Sequence, residues 1–130
     1  MNTSELEQAV QRFLGEKWTG AKRLQGLQGG ALAYVLATAA AQKSRPMLVI
    51  AATTHDAESL HEDLSFFIGE EAPLRRAVHL FPSWEVLPFE KLSPHPDNVA
   101  GRLEGLYKLV EEPAPILIST PAALMQKVIP

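Results

Sequence analysis

Apolar residues fall along this chain in two patterns, one of helical period and one continuous, and the two alternate. Leu6, Ala9, Val10, Phe13 and Leu14 recur at three- and four-residue spacing, so residues 4 to 17 predict an amphipathic helix. Ser4, followed three positions later by Glu7, is a capping box for its start. Gly15 and Gly20 bracket its end and lead to a strand near Leu24. Gly26, Gly29 and Gly30 then offer a turn at positive φ. Ala31 to Ala41, broken only by Thr38, reads as a buried apolar helix that runs to about Lys43. Pro46 to Ala52 is an uninterrupted apolar run, the pattern of a strand covered on both faces of a parallel sheet.

Thr53 or Thr54 caps a third helix, with Ala57, Leu60, Leu64, Phe67 and Ile68 inside and Gly69 at its end. Ala77 to Phe81 is another short strand. Pro82, Pro88, Pro94 and Pro96 make residues 82–97 an irregular link, because proline blocks both helix and central strand. Asp97 caps a helix that places Val99, Leu103, Leu106 and Val110 on one face. Pro115 to Ser119 forms the last strand, and Thr120 caps a final helix with Pro121 in its first turn. This alternation predicts an α/β fold of three layers, a parallel sheet with helices on both faces. At least four strands are expected, from Leu24, Met47 to Ala51, Val78 to Leu80 and Ile116 to Ile118.

The chain has 130 residues, enough for one domain with a real core, and residues 1–20 form a helical extension within it. The formal net charge of −3 supplies no basic field for nucleic acid. The charges are mixed, with short doublets such as Arg75-Arg76 and Glu111-Glu112. There is no cysteine, which excludes disulfides and thiolate chemistry and fits a cytoplasmic home. The stretch Met1 to Val10 is polar and acidic, so no signal peptide is read there. The apolar run from Ala31 is too short to span a bilayer, so no membrane partner is expected. The apolar ending at Val128, Ile129 and Pro130 reads as a piece cut from something longer.

Candidate chemistry centres on the glycine turn. A strand, a glycine turn and a helix is the setting of a P-loop, whose pattern is G-x-x-x-x-G-K-[ST]. Gly26 stands at the first glycine, but Ala31 replaces the second, Leu32 the lysine and Ala33 the hydroxyl residue. Leu32 has no ammonium for phosphates, and Ala33 no hydroxyl for Mg²⁺. Leu32 is expected to pack inward, and no nucleotide cofactor or metal is expected. His55, His61, His79 and His95 show no shared-face metal spacing. The pairs Glu62-Asp63 and Glu70-Glu71 read as solvated carboxylates, and no Ser-nucleophile elbow is present. Ser119-Thr120-Pro121 resembles the Thr-Pro turn of helicase domains, and a plain helix cap accounts for it equally. Phe81, Trp84 and Phe89 either stack on bases or pin the irregular link as a satellite core, and Trp84 is expected to be substantially buried.

The segment from Phe81 onward resembles the N-terminal, UvrB-like region (domain 1a) of the bacterial transcription-repair coupling factor family, Mfd. The residues that carry the resemblance are Phe81, Pro82, Trp84, Glu85, Leu87, Pro88, Ser93, Pro94, His95 and Asp97, then Arg102, Leu103, Leu106 and Tyr107 in the following helix. The closing run ILISTPAALMQKVIP is similar as well. The resemblance implies that residues 1–130 are a single degenerate RecA-like lobe of a larger multidomain protein, without its nucleotide site and without a DNA-probing hairpin. It implies a non-catalytic scaffold or interaction role in transcription-coupled DNA repair. The ATP- and Mg-dependent motor would lie downstream. A UvrA-type protein and RNA polymerase would be reached through the parent, and DNA weakly or not at all by this lobe. Two alternatives stay open: an unorthodox P-loop nucleotide-binding domain of a helicase-like ATPase, and a DNA-contacting lobe.

Overall fold

Ile116, Leu117, Ile118 and Ser119 are all buried, and this one strand organises the sheet. The computed structural model describes residues 3–17, 19–42, 45–69, 77–84, 93 and 95–127. Expectations that rest on Lys43, Glu70-Glu71, Arg75-Arg76, Glu85, Leu87, Pro88, Phe89, Pro94 and Val128 to Pro130 lie outside those residues. The described elements are α1 (Thr3–Gly15), α2 (Ala31–Gln42), β1 (Met47–Ile50), α3 (Thr54–Ile68), β2 (Val78–Leu80), α4 (Pro96–Glu111), β3 (Ile116–Ser119) and α5 (Pro121–Met125). The three strands form a parallel sheet of order β1-β3-β2, with Met47 and Val78 both in register with Ile116.

Period-two alternation along β3 splits the core between two layers. Ile116 and Ile118 join Val78, Ala33, Ala40, Ala57 and Leu64 under α2 and α3. Leu117 points the other way, to Phe81, Ala123 and Leu106 under α4 and α5. Helices therefore cover both faces, as the alternation of elements requires. Val10 and Leu14 of α1 pack on Val35 of α2, and Gln42 donates a hydrogen bond to Gln11 across that pair. The connector after α1 is tied back by an ion pair between Lys22 and Glu16, which holds the Glu16 carboxyl below its ordinary pKa.

Several expectations need correction. Residues around Leu24 form no strand, so the described sheet has three strands rather than four. Leu24 itself is exposed and is not paired to the sheet. The run Met47–Ile50 is an edge strand, not one covered on both faces: Met47 and Val49 turn to the core, while Leu48 and Ile50 stay 54% and 56% exposed. The fully buried strand is β3, which lies between the other two. The first helix begins at Thr3, which puts Ser4 inside it rather than at its cap.

The fourth correction is the buried face of α4. Leu103 and Val110 are exposed, and the residues against the sheet are Arg102, Gly105 and half-buried Leu106. Glycine explains this choice. A Cβ on Gly105 would lie 2.7 Å from the Phe81 ring and 3.0 Å from the His79 ring, and one on Gly101 would meet Pro82 at 3.0 Å. The Gly101–Gly105 notch lets α4 lie directly on β2, and that contact sets the helix rotation. At this approach the His79 ring bonds through Nε2 to the Gly101 carbonyl at 2.8 Å, so Nε2 carries the proton. Gly105→Ala is therefore expected to destabilise the domain by about 1–3 kcal/mol, the range for overpacking a tight contact. Urea unfolding checks this; an unchanged midpoint would contradict the notch.

Candidate functional site

Three places were marked by sequence: the glycine turn, the Thr120 turn and the segment beginning at Phe81. At the glycine turn, Gly26 and Gly29 adopt φ of +79° and +56°. Gly30 does not take a positive φ. It is required by close approach instead, because a Cβ there would stand 3.1 Å from the Phe67 ring. Phe67 in turn meets Tyr34 edge-on at 5.7 Å, which fixes the start of α2 against the end of α3. Helix α2 then begins at Ala31 with Ala33 buried. Leu32 does not pack inward as expected: it is 42% exposed.

Leu32 borders a groove of about 420 Å³ between the start of α2, the end of β1 and α3. Val49, Ile50 and Leu60 give its apolar surface, and Ser59, Asp56 and Asp63 its polar one. Among the described residues no Lys or Arg lines it. A phosphate placed beside Gly29 would face two carboxylates and, among the described residues, no cation, the reverse of what phosphate binding requires.

Thr120 is buried and caps α5: its Oγ1 accepts from the Ala123 amide at 3.3 Å. The other caps follow the same chemistry. Thr53 Oγ1 accepts from the Asp56 amide, and His95 rather than Asp97 caps α4, its Nδ1 accepting from the Asp97 amide at 3.3 Å. Thr54, Glu58, Ser83, Asp97, Asn98 and Thr120 border a second, smaller crevice of about 250 Å³ at the carboxyl ends of β2 and β3. Among the described residues no group of three His, Asp or Glu side chains converges to hold a metal.

The third place is built around Arg102. Its side chain is only 2% exposed. The guanidinium lies between the faces of Phe81 and Trp84, 4.4 Å and 4.6 Å from the ring centroids. Nη1 donates to the carbonyls of Pro82 and Ala123, both at 2.9 Å, and Nη2 to that of Gln126 at 3.2 Å. Two of those carbonyls lie at the end of α5, where the last turn of a helix leaves acceptors unpaired. A cation there also meets the negative end of the helix dipole. Burial pulls the Arg102 pKa below its ordinary value, and the flanking rings and carbonyls offset that desolvation.

Around this cation the neighbouring chain segments lock together. The Trp84 amide donates to Gln126 Oε1 at 2.7 Å, and the Trp84 indole to the Lys127 carbonyl. Ser119 Oγ donates to the Phe81 carbonyl at 3.0 Å, and the Phe81 amide to the Ile118 carbonyl. Trp84 is half-buried, less enclosed than expected. Phe81, Pro82, Trp84 and Arg102 are thus brought together, while Ser93, His95 and Asp97 sit exposed at the start of α4.

Sequence reasoning named Arg102 without giving it a role. The available signal was an arginine next to a glycine on the helix that follows an aromatic pair. Arg102→Lys is expected to cost about 2–4 kcal/mol in urea unfolding, because one ammonium cannot serve three carbonyls and stack between two rings. Trp84→Ala is expected to cost less, about 2 kcal/mol, in keeping with its partial exposure. Unchanged midpoints would show that the side chains are not part of the fold.

Comparison with known proteins gives one consistent result. No family model matches the chain. Over 112 residues it is 35% identical to the transcription-repair-coupling factor of Escherichia coli (strain K12), an alignment covering 85% of this chain and 9% of that protein. The Myxococcus xanthus protein of the same name is 37% identical over 111 residues, covering 83% and 9%. That of Mycobacterium bovis is 34% identical over 107 residues, covering 77% and 8%. The chain is homologous to a segment of transcription-repair-coupling factors and spans less than a tenth of their length.

Proposed function

We infer that this chain is a non-catalytic scaffold lobe of a transcription-repair coupling factor, a degenerate RecA-like module of the UvrB type. The observation that carries this reading is the groove beside Gly29, where Leu32, Asp56 and Asp63 stand in place of the cation that a phosphate needs. The Arg102 cluster supports it. Phe81, Pro82, Trp84 and Arg102, the residues most suggestive of a ligand site, are engaged with one another and with α5. On this reading ATP and Mg²⁺ serve a motor elsewhere in a longer cytoplasmic protein. RNA polymerase and a UvrA-type partner are likewise contacted through other domains of that protein.

The competing readings make different demands. Hydrolysis needs a lysine on the phosphates, a hydroxyl and a carboxylate on Mg²⁺, and a transition-state cation. DNA binding needs a basic surface, and base stacking needs free aromatic faces. Here the faces of Phe81 and Trp84 are turned to Arg102.

Titration calorimetry with Mg-ATP is expected to give no binding, and Leu32→Lys/Ala33→Thr is expected to stay without ATPase activity. A micromolar dissociation constant for wild type would overturn the scaffold reading in favour of a nucleotide-binding domain. Fluorescence anisotropy with single- and double-stranded DNA at physiological salt is expected to show weak binding or none. Sub-micromolar binding lost in Trp84→Ala would favour the DNA-contacting lobe.

A further inference from the structure

We propose that the groove beside Gly29 is a docking site for a basic amphipathic helix of a partner protein; this rests on the scaffold reading, under which the groove holds no nucleotide. Its shape and its charge point to the same occupant. Leu32 is 42% exposed at its margin, so it presents apolar surface that water covers in this lobe. Asp56 and Asp63 lie seven residues apart on α3, with Leu60 between them. That spacing puts them on one face about 10.5 Å apart along the axis. The wall of the groove therefore reads acid, apolar, acid over two turns.

No ion pair described in the structure engages Asp56 or Asp63. Helix α3 carries Asp56, Glu58, Glu62 and Asp63 and no Lys or Arg, so its exposed field is wholly negative. An amphipathic helix laid in a groove anchors through residues one and two turns apart. Its complement here has a leucine-like side chain at the centre and a Lys or Arg one turn to each side. The groove's walls, the start of α2 and one side of α3, suit a helix lying along α3.

Other occupants fit less well. Phosphates face the two carboxylates. Among its described residues a second copy of this chain offers no complementary helix: α2 and α5 have no basic residue, α1 has Arg12 alone, and α4 has Lys108 and the buried Arg102. Two copies meeting through α3 would set acid against acid, which is repulsive.

The probe is a synthetic amphipathic peptide of about 18 residues, or five turns, built from Leu and Ala with Lys seven positions apart on its apolar face. A control peptide has Glu in place of Lys. Fluorescence anisotropy on the whole 130-residue chain is expected to show saturable binding of the Lys peptide, weakened by salt, and no binding of the Glu peptide. Asp56→Asn/Asp63→Asn is expected to weaken binding about tenfold, the effect of losing two partly exposed ion pairs. Leu32→Lys, which places a cation in the groove, is expected to abolish it. Glu104→Gln/Glu111→Gln removes the same charge from α4 and is expected to change nothing.

Equal weakening by the two double variants would mean bulk charge attraction and would overturn the proposal. So would binding of the Glu peptide, failure of the Lys peptide to bind, or a dimer that forms through α3. Failure of the Lys peptide without any Mg-ATP binding removes the docking site and leaves the scaffold reading standing. Displacement of the peptide by Mg-ATP removes both.

Discussion

A buried guanidinium without a carboxylate partner among the described residues is an expensive thing to place in a small domain. This lobe places one at Arg102 and arranges its surroundings to accommodate it. Two aromatic faces and three carbonyls replace the water that the cation loses. In return, one side chain joins α4, the segment after β2 and the end of α5. Those parts are distant in sequence, and two of them have little regular structure with which to hold each other. Helix α5 has only five residues and would be marginal alone. The cation at its last carbonyls, the Thr120 cap at its start and Ala123 in the core secure both of its ends.

The glycines of α4 are the condition for this arrangement. Gly101 and Gly105 bring the helix axis close enough that Arg102 is carried beneath the Phe81 ring, and the apolar side chains Leu103 and Val110 are left outside. An ordinary amphipathic helix would have rotated its stripe inward. The consequence is that Leu103 and Val110 stay exposed on α4, as Leu48 and Ile50 do separately on the edge strand.

The layered α/β fold was legible because the alternation of apolar runs and helical stripes is strong, and caps such as Thr120 mark helix starts, although Thr53 could not be told from Thr54 nor His95 from Asp97. Burial within the sheet was less legible. The runs at Met47 and Ile116 read alike, yet only the second is central; strand order depends on which strands find neighbours, and composition does not encode that. The strand near Leu24 was inferred from the glycines after it, and glycine-rich turns also form without a preceding strand. At the candidate site, it was plain from sequence that positions 32 and 33 carry neither a lysine nor a hydroxyl. The two carboxylates that complete the groove come from α3, two dozen residues and more along the chain, so only the fold brings them there. Arg102 was recognisable as distinctive but not as buried, since arginine on a helix is ordinarily solvated.

The central claim is that the aromatic segment and Arg102 form one structural unit rather than a surface waiting for a ligand. A double-mutant cycle between Trp84→Ala and Arg102→Met, followed by urea unfolding, measures this directly. The account predicts a coupling energy of about 1 kcal/mol or more, as expected for side chains in direct contact. Additivity of the two changes to within about 0.3 kcal/mol would contradict it, because residues that do not share an interaction add.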